Sequence, residues 1–290
     1  MFSRRVLLKG ILLAVLATAG LAGEVEVTLY HTSDLHEHST PLARIAGFVQ
    51  AQRDAGKNVV FVDSGDWNNK GDLTELKLRG EPMAAIMGAM GYDAIIPGNH
   101  DYSFGASRLA ELVDKYALPL VACNCMWPGA TPKNVKPYRL VEFEGVTVAV
   151  IGTATAIMAQ ATGDGLTVRP VVAAVGRVLT ELEGKADIIA VLVHQGQNED
   201  KALIEALPRI DIVLAGHQHR RFATLNCDQA RKTILQHSGA NGDAIGEITV
   251  RWDGQAITRR GVRLVKVTNQ MPEAAKVAVI RDRYTSRLPK

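Results

Sequence analysis

The chain has little cysteine, no linker and no charge excess of its own. Only three cysteines occur in 290 residues, Cys123, Cys125 and Cys227. An odd number is not a disulfide framework. Cys123 and Cys125 flank the end of an apolar run and read as buried thiols. A single bridge to Cys227 stays open in an oxidising compartment. No Ser/Gly/Pro linker, low-complexity run or internal repeat interrupts the sequence, which argues for one domain over residues 23–290. Arg4, Arg5 and Lys9 account for the whole excess of 33 basic over 30 acidic residues. Beyond residue 22 the chain is neutral, and this argues against a nucleic-acid binder working through bulk charge.

Long hydrophobic runs are missing too. The uncharged stretch 11–22 is too short to span a bilayer comfortably. It comes after Ser3-Arg4-Arg5-Val6-Leu7-Leu8-Lys9, a twin-arginine export pattern. Ala17-Thr18-Ala19 and Gly20-Leu21-Ala22 are both candidate cleavage sites. No stop-transfer pattern succeeds them, and no cysteine near the cleavage region offers a lipid attachment point. Residues 1–22 are therefore expected to be an export signal, with a periplasmic product and no stable membrane span after cleavage.

What is present is an alternation of apolar strands and amphipathic helices. The patterns predict strands at 25–31, 59–62, 94–96, 118–123, 187–193 and 211–215, and a hairpin of 138–143 with 146–151 around Glu144-Gly145. Further strands are expected at 232–237, 246–252 and 256–267, with Asp253-Gly254 as a turn. Helical spacing covers 41–52, 81–90, 107–115, 171–182, 199–207 and 273–284. Alternating elements ahead of a β-rich third fit an α/β fold, a four-layer αββα sandwich of two mixed sheets.

Five of these strands end in polar, ligand-type residues: Asp34 with His36, Asp66, Asn99 with His100, His194, and His217 with His219. Five of the eight histidines sit at such ends. Strand ends on one side of a sheet converge, so these groups can meet in space. Imidazole nitrogen with carboxylate and amide oxygen suits divalent Mn, Fe, Zn or Co, and a ligand set without cysteine favours a catalytic over a structural site. In Asp34-x-His36 and His217-x-His219, residues two apart in extended chain point the same way.

With Gly65-Asp66, Gly98-Asn99-His100-Asp101 and Gly216-His217-Gln218-His219 in order, the chain resembles a calcineurin-like metallophosphoesterase, nearest the catalytic domain of the bacterial 5′-nucleotidase group. The resemblance covers about residues 25–250. It implies two divalent ions: one held by Asp34, His36 and His219, the other by Asn99, His194 and His217, with Asp66 bridging. Such a pair, roughly 3.5–4 Å apart, clamps attacking and leaving oxygens and lowers the pKa of bound water. Its surplus positive charge favours a small phosphate-ester substrate.

His100 and Asp101 are the candidate catalytic residues of the third motif. His100 is expected to contact the transferring phosphoryl group or to protonate the leaving alkoxide. Two departures stand out. Relatives usually carry Gly-Asn-His-Glu-Phe-Asp, where the final Asp pairs with the histidine; here Ser103 occupies that place and Asp101 replaces the Glu. A hydroxyl cannot hold an imidazolium as a carboxylate does, so His100 has a lower pKa than in relatives or draws on another acid. The second departure is length. Lys290 comes too soon after the core for the base-stacking C-terminal domain of full-length nucleotidases, and that domain is expected to be absent.

His38, Asn69 and His237 are candidates for the substrate mouth, with Trp67 and Asn68 beside them. His31 reads as a core or supporting residue. Arg220 and Arg221 read as a solvated pair. The expected function is an exported two-metal phosphoric ester hydrolase. The alternatives are a sulfur-ester hydrolase of the SoxB kind on the same scaffold and a non-catalytic metal-binding module. The sequence leaves oligomeric state open.

Overall fold

The computed structural model describes residues 23–157, 165–224 and 233–289. The expected export signal, residues 1–22, and Cys227 lie outside the described residues.

In chain order the elements begin with β1 (Val25–Thr32), α1 (Leu42–Asp54), β2 (Asn58–Asp63), α2 (Glu81–Met90), β3 (Ala94–Ile95) and α3 (Ala106–Lys115). Then come β4 (Cys125–Met126), the hairpin β5 (Tyr138–Phe143) and β6 (Val146–Gly152), β7 (Thr167–Val168), α4 (Val171–Glu181), β8 (Ile188–Val193) and α5 (Gln197–Ala206). The chain continues with β9 (Ile212–Ala215), β10 (Arg221–Thr224), β11 (Ile234–Ser238), β12 (Ala244–Trp252), β13 (Ile257–Lys266) and α6 (Ala275–Thr285).

These strands form two mixed sheets, ordered β13-β12-β1-β2-β3 and β10-β11-β9-β8-β6-β5, with a separate pair β4-β7. β1 runs parallel to β2 and β8 parallel to β9, while β12 and β13 return antiparallel. The two sheets face each other through Val27, Leu29, Val60 and Val62 on one side and Val148, Val150, Ala190, Leu192 and Leu214 on the other. On the outer face of the first sheet, Tyr30 and Phe61 pack among residues of α1, α2, α3 and α6. The outer face of the second, through Ile189, Val191 and Val213, meets α4 and α5. Burial on both faces is why these strands read as continuous apolar runs. The expected αββα sandwich is the observed architecture.

Two expectations on this frame need correction. The strand expected at 118–123 is not a strand. Leu120 and Val121 make only isolated bridges, to Ile95 and Lys136, and the ordered pairing comes later, at Cys125–Met126 against Thr167–Val168. Pro119 has no N–H to give a ladder, and its carbonyl instead accepts from Ile95 N at 3.1 Å. Cys123 and Cys125 are free thiols, half-buried rather than buried. Burial still pushes their thiols up to about 12 and about 11, so neither is a reactive thiolate at neutral pH.

Candidate metal centre

All five polar strand ends lie at one edge of the sandwich. β1 and β2 continue to pair past their last ladder residues: Ser64 N donates to Thr32 O at 2.9 Å, Asp34 N to Gly65 O at 2.8 Å, and His36 N to Asp66 O at 3.0 Å. This zipper carries the first two motifs side by side out of the sheet. The third and fifth motifs are locked to them through carboxylates. His100 N donates to Asp66 Oδ1 at 2.8 Å, and His217 N to Asp34 Oδ1 and Oδ2 at 3.0 and 3.2 Å.

The backbone here is not extended. Asp34, His36, Asp66, His217 and His219 have φ of +53°, +50°, +60°, +77° and +53°. The premise that Asp34-x-His36 and His217-x-His219 converge because residues two apart in a strand share a face is therefore corrected. They converge because each sits in the left-handed region, which turns its side chain inward. Such positions cost on the order of 1–3 kcal/mol each and persist only where surrounding contacts over-determine them. The approach of the loops also dictates two motif glycines. A Cβ on Gly98 would overlap Asp66 Oδ1 and the Asp66 amide, and one on Gly216 would meet Ser64 O at 2.6 Å and His194 Nδ1 at 2.7 Å.

Ligand atoms gather in three overlapping groups, Asp34/His36/His219, His36/Asp66/His100 and Asp66/His194/His217. His36 Nε2 lies 3.0 Å from His219 Nε2, and His217 Nδ1 lies 3.0 Å from Asn99 Oδ1. Asp66 Oδ2 stands between the groups, 3.2 Å from His194 Nε2 and 4.0 Å from His36 Nε2. His219 Nε2 reaches Asp34 Oδ1 at 3.4 Å.

Whether these residues suit a divalent ion can be judged from the ring nitrogens. His194 Nδ1 is 2.7 Å from the Ser64 carbonyl, which fixes Nδ1 as a protonated nitrogen and leaves Nε2 as the nitrogen that faces Asp66. That Nε2 is buried, with the Asp66 carboxylate as its near neighbour. His36 repeats the pattern, with Nδ1 3.3 Å from Asn68 O. Burial lowers the His36 imidazole to about 4 and lowers that of His217, so both are neutral and able to ligate. Burial also opposes charge on His194, but the Asp66 and Asp34 carboxylates outweigh it and raise its pKa to about 9. Against the upward push of burial, contact with His194 and the His100 amide holds Asp66 at about 2. A cluster that draws a proton this strongly into a buried imidazole calls for positive charge, and a divalent cation meets the same demand. The donor set fits.

The structure separates the remaining candidates. His100 borders the site, its ring edge-on to that of His36 with centroids 5.1 Å apart. Asp101 does not face the centre. Its Oδ2 accepts from Asp66 N at 2.9 Å and Gly98 N at 2.7 Å, and its Oδ1 from Asn68 N at 3.0 Å. Asp101 is thus a buried clamp on the two loops, with both its oxygens accepting from backbone amides. Trp67 is fully buried in the core and Asn68 is buried beside it, so neither lines a mouth. His237 is 2 % exposed, with Nε2 3.5 Å from Asp200 Oδ2, which removes it from any solvent-facing mouth as well.

Asn69 is at the rim. Its Nδ2 donates to Ser103 Oγ at 2.7 Å, so the hydroxyl at the expected aspartate position serves a loop latch. His38 lines a separate surface cleft with Arg44 and Asn241. His31 is fully buried with Nε2 3.0 Å from Ser64 Oγ. Arg220 and Arg221 are held by Gln197 and Asp243, and Arg221 opens β10, a strand that the hydrophobic pattern does not announce. Ser64 is a site residue that sequence reasoning misses. It acts through its carbonyl, and a backbone role leaves no side-chain signature.

The family model for calcineurin-like phosphoesterases matches residues 27–221. Among curated relatives, an uncharacterized metallophosphoesterase, YunD of Bacillus subtilis, is 26% identical over 67% of this chain and 44% of its own length. The 5′-nucleotidase of Homo sapiens is 24% identical over 92% of this chain and 54% of its own. The chain thus spans about half the length of the curated relatives it matches. In fold, it superimposes on a 5′-nucleotidase precursor from Thermus thermophilus with a TM-score of 0.79 at 22% identity, covering 90% of this chain and 58% of that one.

Proposed function

The chain belongs to the calcineurin-like phosphoesterase family, and from this premise we propose that it is an exported hydrolase of small phosphate esters working with two divalent ions. One observation carries the reading: His194 Nε2 is buried and faces Asp66 Oδ2 at 3.2 Å, inside a ring of ligand atoms drawn from five strand ends. Asp34, His36 and His219 would hold one ion and Asn99, His194 and His217 the other. Asp66 would serve both, its Oδ1 also accepting from His100 N. The ions supply Lewis acidity and a lowered water pKa. Net, water cleaves the ester P–O bond and gives an alcohol and phosphate.

The chain's own residues do the rest. Asp101 fixes the Asp66 and Gly98 loops, and the Ser64 carbonyl orients His194. Burial lowers the pKa of His100 from the ordinary 6.5, so the ring is neutral at pH 7. A neutral N–H there suits a hydrogen bond to a phosphoryl oxygen better than wholesale proton transfer. Export rests on the twin-arginine pattern at Ser3–Lys9. Among the described residues no helix is long and apolar enough to cross a membrane.

The test is turnover by protein loaded with Mn, Zn, Fe or Co on p-nitrophenyl phosphate, bis-p-nitrophenyl phosphate, nucleoside monophosphates and 2′,3′-cyclic nucleotides. Hydrolysis of at least one class is expected. Silence on all of them with every metal would sink the reading.

A further inference from the structure

A cleft of about 510 Å³ opens where the chain leaves β6 and β8 and enters α4 and α5. Its volume lies within the roughly 300–1,000 Å³ of small-molecule sites. Its walls are mainly apolar: Ile157 after β6, Val171 and Val172 at the start of α4, Ala202 and Leu203 on α5. Ile157 and Val172 stay 47 % and 38 % exposed, large apolar side chains that face water at its edge. Into this lining the chain places one amide, Gln195. Its Nε2 is a buried donor without any hydrogen-bond partner. A buried donor with no acceptor is costly, on the order of 1–3 kcal/mol, unless a bound group supplies one.

The cleft is tied to the chemistry by the backbone. Gln195 and Gly196 come directly after His194, a ligand in the proposed function. In the second sheet β8 lies beside β6, and Thr153 N donates to Leu192 O at 3.2 Å, so the walls start from the strand end next to His194. β3, whose end carries Asn99 and His100, packs against β6 from the other sheet. The cleft thus starts from strand ends that adjoin those carrying His194, Asn99 and His100.

The geometry points to a leaving-group subsite: the cleft takes the alcohol portion of the ester, and selects a flat apolar or aromatic group bearing a hydrogen-bond acceptor for Gln195. This rests on the hydrolase reading above and adds the class of substrate. Apolar walls give such a group a gain of about tenfold or more over a small alkyl group, the usual return for filling a hydrophobic pocket.

The test compares 2-phenylethyl phosphate with ethyl phosphate, whose leaving alcohols have similar acidity, and titrates the two corresponding phosphonates by calorimetry. Wild-type protein is expected to favour the phenylethyl ester at least about tenfold in kcat/KM, mainly through KM, and to bind the phenylethyl phosphonate at least about tenfold more tightly. Ala202→Trp, which fills the cleft, and Val172→Asp, which charges its edge, should each collapse both ratios toward one. Two substitutions on different helices guard against a folding defect in either. Equal KM values for the two esters in the wild type, or ratios that both variants leave intact, would overturn the subsite. Preferential binding of the phenylethyl phosphonate with no ester turned over would keep the subsite and reject the hydrolase reading.

Discussion

His31 makes stability depend on pH in a way that can be calculated. The side chain is fully buried, 3.0 Å from Ser64 Oγ, and the Ser64 hydroxyl donates its own proton to Leu214 O at 2.8 Å. Ser64 therefore accepts from His31, which must be the neutral tautomer protonated at Nε2. Burial, helped by the neighbouring His237, lowers its pKa from 6.5 to about 3. Between these two values the unfolded chain binds a proton that the folded chain refuses. The His31 contribution is complete above pH 6.5 and is lost as pH falls toward 3. From about pH 7 to about pH 5 the loss is about 2 kcal/mol, and near pH 3 it reaches about 4 kcal/mol. The assay is urea denaturation at both pH values with chelator present, for wild type and for His31→Gln, which keeps an N–H donor but cannot titrate. The wild type should lose about 2 kcal/mol more than the variant on going to about pH 5. The same pH dependence in both proteins would refute the burial argument.

Three further outcomes arise from the site. Gly98→Ala forces a Cβ onto Asp66, so metal affinity should fall along with a loss of about 1–3 kcal/mol in stability, read by calorimetric metal titration and thermal melts. Asp101→Ala leaves the Asp66, Gly98 and Asn68 amides without an acceptor and should cost about 3 kcal/mol or more, whereas a catalytic Asp101 would lose turnover with no change in melting temperature. His100→Ala should retain bound metal and lower kcat by roughly 10²–10³-fold; metal loss in that variant would contradict its place outside the ligand set.

The apolar runs made most of the fold legible, since strands such as β2 and β8 are buried on both faces and have no competing periodicity. The sequence could not show that Pro119 would break its run into isolated bridges, because that depends on which carbonyl the neighbouring Ile95 amide finds. Seven ligand-type residues were readable from motif order alone, but the reason they converge was not. Left-handed φ at Asp34, His36, Asp66, His217 and His219 is imposed by loop-to-loop contacts far apart in sequence. For the same reason Asp101, adjacent to His100 in the chain, turned out to face away from the centre. Trp67 and His237, polar-edged residues near motifs, are claimed by the core.

The central claim is that seven side chains form a two-ion centre bridged by Asp66, and metal content tests it most directly. Protein loaded with Mn or Zn, desalted and measured by plasma mass spectrometry should carry two ions per chain. Asp66→Ala should fall to one or none and lose turnover with it. A wild type that holds no ion or only one, or an Asp66→Ala protein that keeps two, would contradict the account.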